Sequence, residues 1–358
     1  MSPVATSTRT GSLAEMLDSL TREAEVYHSL EDGSVQCLAC GHRCLIREGK
    51  RGICQVRFNQ GGRLYAPWGY VSGLNIDPIE KKPFFHVMPG TRTLTFGMLG
   101  CDLHCSYCQN WITSQALRDP AAGAPVERVS PEEMVELALR YNSPFITSSY
   151  NEPLITAEWA VSVFKAAQPH GIRGLFVSNG NLTPEVLDYL RPYLAGYKID
   201  LKSMSDRSYR QLGTTLQNVL DGIRMVHQSG LWLEVVTLVV PGFNDSDEEL
   251  REAARFLASL SPDIPWHVTA FHRDYKMLDH DDTDARTLLR AAEIGRSEGL
   301  HYVYAGNIPG AVGKWENTYC PQCNTLLVKR WGFRVLEDHL SGSGKCPKCE
   351  TPIPGVWS

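Results

Sequence analysis

Eleven cysteines in 358 residues fall into three groups: Cys37, Cys40, Cys44 and Cys54, then Cys101, Cys105 and Cys108, then Cys320, Cys323, Cys346 and Cys349. Four thiolates complete a tetrahedral metal site or saturate an iron-sulfur cluster, whereas three leave one metal position open to an outside ligand. The outer groups are therefore expected to be structural and the middle one catalytic. In the middle group the spacing C-x3-C-x2-C puts three thiolates within eight residues, which suits one face of a 4Fe-4S cubane. A closed zinc site with His104 as fourth ligand is the competing reading. The C-terminal group is two C-P-x-C knuckles separated by 22 residues, for which zinc is expected and rubredoxin-like iron is the alternative. The N-terminal set is C-x2-C-x3-C-x9-C, with His42 inside it and Lys50, Arg51 and Arg57 nearby. Zinc is favoured there over an auxiliary iron-sulfur cluster, because the spacing is not that of the ferredoxin run.

The bulk of the chain agrees with metal chemistry in a reducing compartment. It is 43% hydrophobic with a formal net charge of -5, so it has no overall basic footprint for nucleic acid, and RNA is not favoured as a ligand. No apolar run approaches the roughly 18 residues of a membrane span, and the first residues lack a secretory apolar core. A cytoplasmic location is expected, where thiols bind metal more often than they pair.

Elements that would position these thiols alternate along the middle of the chain. Short apolar runs at 94–99, 145–150, 174–179, 197–201, 233–240, 266–271 and 301–306 read as strands. Between them lie helix starts such as Ser130-Pro131-Glu132-Glu133, Thr183-Pro184-Glu185 and Asp245-Ser246-Asp247-Glu248. Repeated strand-helix units predict an α/β fold with a parallel sheet, as a partial (β/α)6 TIM-like barrel, with a doubly wound sheet as runner-up. Functional groups should then gather at the carboxyl ends of the strands. The expected division is a helical or flexible segment over 1–30, a four-cysteine element with connector over 31–90, the barrel over 91–313 and a zinc-ribbon-like element over 314–358.

The stretch FGMLGCDLHCSYCQNWITSQ carries the radical S-adenosylmethionine motif, with the aromatic Tyr107 before the third cysteine. Together with CLACGHRCLIREGKRGICQVR, DPIEKKPFFHVMPG, YNEP, VSNG, IDLK and VVPGFND, it resembles the pyruvate formate-lyase activating enzyme-like branch. More closely, the order of these pieces is similar to the radical enzyme of the AmmeMemoRadiSam system.

That resemblance implies a 4Fe-4S cluster on Cys101, Cys105 and Cys108 whose open iron chelates S-adenosylmethionine. Tyr107 would approach the adenine. Asn151 and Glu152, in YNEP, would hold the methionyl amino group by backbone carbonyl or side chain. Ser178 and Asn179 would bind the ribose or methionyl carboxylate, and Val240 and His272 would complete the set. Asp200 and Lys202 share one side of their strand by period two, so they read as a ligand-contacting pair or an internal salt bridge. Val177 stands where the activating enzymes have an aspartate that helps hold a monovalent cation, so that role is not implied.

The implied function is reductive cleavage of S-adenosylmethionine to a 5'-deoxyadenosyl radical that abstracts hydrogen from a protein or partner-bound substrate. Radical modification of RNA or of a small metabolite is the alternative, and a non-catalytic metal-binding adaptor a third. Expected partners are an electron donor such as flavodoxin or ferredoxin, and Memo-like or AMMECR-like proteins or a glycyl-radical enzyme; no membrane is expected. The charged segment Asp77–Pro83, with Phe84, Phe85 and His86, reads as a connector near the barrel mouth, with substrate contact as the alternative because dense charge stands beside aromatic residues.

Overall fold

The structure, a computed structural model, describes residues 12–340 and 342–358. Seven parallel strands form the central sheet: β1 (Arg92–Gly97), β2 (Phe145–Ser148), β3 (Arg173–Ser178), β4 (Leu194–Asp200), β5 (Trp232–Val239), β6 (Trp266–Ala270) and β7 (Val303–Gly306). They lie side by side in chain order, each hydrogen-bonded to the next. A doubly wound sheet reverses its strand order at a switch point. No such reversal occurs here, so the chain winds one way and the sheet curls as a partial barrel around one cavity. The strand Gly73–Pro78 adds an antiparallel edge on β1. It lies within the segment expected to be connector, because its two faces do not alternate in hydrophobicity and its pairing comes from β1 rather than from its own pattern.

The sheet is buried on both faces, so its strands are apolar runs without clean alternation, as in β5, where most positions are buried. Helices cover the outside with one apolar stripe. In Asp247–Leu260, Leu250, Ala253, Ala254 and Leu257 recur at helical spacing and are buried. Capping fixes where the helices begin: Ser130 and Glu133 form a reciprocal capping box, and Thr183 and Ser246 accept from Val186 and Glu249 amides.

Two small elements flank the barrel. At the N-terminal side, Thr21–Glu23, Arg63–Pro67 and Phe58–Gln60 form one antiparallel sheet, and Tyr27–Ser29, Val35–Cys37 and Leu45–Ile46 form another. The helix Leu13–Asp18 is all the helix that falls among the described residues of the expected segment 1–30; residues 1–11 lie outside them. The C-terminal element is a three-stranded sheet, Thr318–Tyr319, Leu326–Trp331 and Arg334–Asp338, packed on the barrel through Phe85, Tyr302 and Tyr304. No helix among the described residues is long and apolar enough to cross a membrane.

Candidate functional site

Gly100 opens the loop after β1 at φ +101°, and a Cβ there would come within 2.9 Å of Val56. Only glycine suits both constraints. The loop carries Cys101, Cys105 and Cys108 into one cavity of about 380 Å³, which is also lined by residues at or just beyond the ends of β2, β3, β4, β6 and β7. The Leu103 amide donates to Cys101 Sγ at 3.3 Å, and Ser114 Oγ lies 3.1 Å from Cys108 Sγ. Donors aimed at sulfur favour thiolate character. Burial pushes the Cys105 thiol up to about 12, which a metal cation would reverse on binding.

The three sulfurs are not drawn together around a point. Among the described residues, only Cys320, Cys323, Cys346 and Cys349 gather their sulfurs within 4.8 Å of one another. There Cys320 and Cys349 approach to 3.5 Å and Cys323 and Cys346 to 3.6 Å, close to the ~3.8 Å edge of a tetrahedron with 2.3 Å metal-sulfur bonds. The C-terminal set fits one metal ion. The wider middle set, on a common cavity, fits a cubane that takes each thiolate at a different iron.

Asp102, fully buried beside Cys101, ties this loop to the end of β3. It accepts from Asn179 Nδ2 at 2.7 Å and Asn181 Nδ2 at 2.8 Å. Glu152 makes the matching link from β2: it accepts from Ser178 Oγ at 2.7 Å, the Asn179 amide at 2.8 Å and the Leu154 amide at 3.1 Å. Burial and then the negative charge of Asp102 raise the Glu152 carboxyl to about 8, against the pull of those donors. Asn151 is also engaged inward, accepting from the Met98 amide at 3.0 Å and donating to Glu152 O at 3.2 Å. Just before them Tyr150 takes φ +66°, in the left-handed region, which costs a non-glycine residue about 1–3 kcal/mol unless neighbours hold it. Its hydroxyl donates to Asp77, Asn75 donates to it at 3.2 Å, and Lys82 Nζ stands 4.6 Å from its ring centroid.

On β4, Asp200 bridges Lys198 and Lys202, the latter at 3.2 Å. Burial opposes its ionisation, but the two ammonium groups prevail and bring it down to about 2. The three residues share a side by period two, while Ile199 and Leu201 are buried in the core. Asp200 and Lys202 are salt-bridged to each other, and both line the cavity.

The connector closes the deeper end. Asp77 pairs with Lys81 and Lys82, and burial lowers Lys82 to about 8. Glu80 faces Arg330 of the C-terminal element at 3.7 Å with both side chains fully buried. The Phe85 and His86 amides each donate to Glu234 of β5 at 2.9 Å, and His267 Nε2 meets the same carboxylate at 2.7 Å.

Of the expected residues, Cys101, Cys105, Cys108, Tyr107, Asn151, Glu152, Ser178, Asn179, Asp200 and Lys202 all line the cavity. Val240 and His272 do not. Val240 is buried with its amide bound to Asn244 Oδ1 at 2.7 Å. His272 is exposed beyond β6, its Nδ1 3.3 Å from Arg273 O, because the chain has already turned away from the barrel axis. Sequence reasoning passed over Asp102, Lys198, His267, Asn307 and Phe333, whereas Lys82 lies in the charged segment it singled out. Lys198 was readable as the residue two before Asp200; Phe333 was not, since a hairpin more than 200 residues from the cysteine loop brings it to the cavity.

Comparison with known proteins gives this geometry its relatives. Residues 96–257 match the family described as the radical SAM superfamily. An uncharacterized protein of Methanocaldococcus jannaschii is 40% identical over 335 residues, covering 93% of this chain and 98% of that protein. The pyruvate formate-lyase-activating enzyme of Clostridium pasteurianum is 25% identical over 217 residues, 55% of this chain and 86% of its own. Among solved structures, a domain of a pyruvate-formate lyase-activating enzyme from Bacteroides vulgatus aligns with a TM-score of 0.40 at 21% identity, over 45% of this chain and 98% of its own. A radical SAM methyltransferase from Sphaerobacter thermophilus aligns with a TM-score of 0.47 at 17% identity, over 66% of this chain and 71% of its own.

Proposed function

Since the chain belongs to the radical SAM superfamily, a family that implies a 4Fe-4S cluster and S-adenosylmethionine, we propose that Cys101, Cys105 and Cys108 hold that cluster for hydrogen abstraction from a protein or partner-bound substrate. The observation that carries the reading is the opening of all three cysteines onto one cavity at the carboxyl ends of the barrel strands. When bound, the cluster supplies the electron that cleaves S-adenosylmethionine to methionine and a 5'-deoxyadenosyl radical.

The protein's own part is positioning. Tyr107, packed at 5.3 Å on Phe243, offers an aromatic face to the adenine. Asn151 and Glu152 already have inward partners, so they shape the turn whose backbone carbonyls meet the methionyl amino group. Ser178 and Asn179, anchored by Glu152 and Asp102, serve the ribose or carboxylate from a fixed turn. Lys202 offers its ammonium to a carboxylate, and Asp200 keeps it oriented. Cys320, Cys323, Cys346 and Cys349 hold zinc, and that site fastens Phe333 and its hairpin at the cavity.

The protein-substrate reading is supported by the activating-enzyme relatives and by the exposed aromatic side chain of Phe333 at the cavity. A reductant such as flavodoxin or ferredoxin completes the reaction, in the cytoplasm. The test is anaerobic incubation with S-adenosylmethionine and dithionite: 5'-deoxyadenosine should form with wild type and be lost in Cys105→Ala. Turnover retained by that variant would refute the reading. Co-purification then separates a glycyl-radical enzyme from a Memo-like or AMMECR-like partner.

A further inference from the structure

The N-terminal cysteines form a second cluster that the proposed radical chemistry leaves unused. Cys37 ends the strand Val35–Cys37, and its amide donates to Cys44 O at 2.9 Å. Cys37, Cys40 and Cys54 are buried and Cys44 is partly so. The four are electrostatic neighbours: Cys44 bears on Cys37, and both Cys37 and Cys54 bear on Cys40.

Arg57 faces this group from the barrel side. It is 1% exposed, and one nitrogen pairs with Glu158. Its Nε and Nη1 are buried without any hydrogen-bond partner. After Glu158, the charges that bear on Arg57 are those of Cys37, Cys54 and Cys40. Two bare guanidinium donors beside buried thiols call for an anionic acceptor lying between them.

A zinc site would offer only the thiolate sulfurs themselves as acceptors. Four thiolates on a single ion sit about 4 Å apart and carry no further acceptor atoms. The C-terminal four have that compact arrangement, and the N-terminal four, like the loop cysteines, do not. A cubane binds each thiolate at a separate iron and brings bridging sulfides, which accept hydrogen bonds. We propose that Cys37, Cys40, Cys44 and Cys54 hold a second iron-sulfur cluster, in place of zinc, whose sulfides accept the free N–H groups of Arg57.

Its position gives the site a connection to the radical-forming loop. Asp102, which follows Cys101, bears on Cys40. The Gly41 amide donates to Asn181 O at 2.8 Å, and Asn181 in turn donates to Asp102. A Cβ at Gly41 would come within 2.3 Å of Asn181 Oδ1, so the N-terminal element meets β3's turn without a side chain between.

The test is metal and sulfide analysis of full-length protein purified anaerobically from iron-supplied cells. In the variant Cys101→Ala, Cys105→Ala, Cys108→Ala, about four iron and four sulfide per chain should remain, with a paramagnetic signal on reduction. Adding Cys37→Ser and Cys40→Ser should remove them. Arg57→Lys, made with the loop cysteines replaced, should keep the iron and shift the reduction potential and the signal. Zinc in place of iron, or no metal, in the triple variant would overturn the proposal; an unchanged potential in Arg57→Lys would overturn the role of its donors. The difference in iron between wild type and triple variant reports the loop cluster separately, so either reading can fail alone.

Discussion

Asn179 Nδ2 donates to Asp102 Oδ1 at 2.7 Å, joining the turn after β3 to the residue that follows Cys101. Asn179 also gives its amide to Glu152. One residue therefore registers all three segments, its side chain holding the cysteine loop and its backbone amide holding the turn after β2. Asn179→Ala removes a buried hydrogen bond to a carboxylate and should cost about 1.5–3 kcal/mol of unfolding free energy. Because the loop would lose register, 5'-deoxyadenosine formation should fall at least tenfold. A urea titration and that assay check both, and wild-type values in each would show that Asn181 alone fixes Asp102.

Gly97 ends β1 where a Cβ would lie 2.7 Å from both Ser149 O and Tyr150 Cβ. A backbone oxygen and a Cβ fixed to the backbone cannot yield as a flexible tip would. Gly97→Ala should destabilise the protein by about 1–3 kcal/mol, by prising β1 from the strained Tyr150 turn. The lower urea midpoint should come with weakened S-adenosylmethionine binding, measured by equilibrium dialysis on reconstituted protein. Unaltered binding would separate the turn from the cofactor.

Arg330 is the buried hinge between the C-terminal element and the barrel. Besides facing Glu80, it donates to Phe85 O and Thr318 Oγ1, each at 2.8 Å. Arg330→Met leaves Glu80 buried without its counter-charge, and breaking such a pair costs about 3–5 kcal/mol. Limited proteolysis should then cut near 314 while the barrel stays resistant. Equal resistance on both sides of that point would mean that the apolar contacts of Phe85, Tyr302 and Tyr304 suffice.

His86 makes stability depend on pH. Its ring lies 2.7 Å from both Pro354 O and Tyr304 Oη. Burial outweighs the attraction of Glu234 and brings its pKa down from 6.5 to about 4, with Arg330 and His267 adding to the fall. The unfolded chain therefore takes up this proton first. The contribution is fully present above pH 6.5 and is lost as pH falls through about 4, with a slope of up to about 1.4 kcal/mol per pH unit between. His86→Gln does not titrate and should flatten that part of the curve, read by chemical denaturation at each pH; parallel curves would assign the slope to other groups.

Chelation should act on the C-terminal element alone. With Cys320, Cys323, Cys346 and Cys349 set for a single ion, a zinc chelator should release one equivalent per chain and loosen the hairpin that carries Phe333. Trp331, 57% exposed on that hairpin, would report the change by fluorescence. Release without a change in Trp331 emission would separate the metal from the hairpin's position.

Much of the site was legible because it is local. Cys101, Cys105 and Cys108 lie in one loop, Glu152 and Asn151 at one strand end and Asp200 and Lys202 across one period of a strand, and all line the cavity. Strand-helix alternation likewise predicted the parallel sheet, since crossover helices are the usual way to join parallel neighbours. His272 misled for the same reason in reverse: its place after an apolar run promised a strand end, but β6 stops at Ala270 and the next residues leave the axis.

By itself the sequence determined the number and grouping of the thiols, the strand-helix alternation and the charged residues at strand ends, because each follows from spacing along the chain. Only the tertiary structure decided which carboxylates are already satisfied, how Arg330 meets Glu80 across 250 residues, and that four thiols near one terminus gather tightly while four near the other do not. Those depend on distances through space between segments far apart in sequence, set by how the flanking elements pack on the barrel.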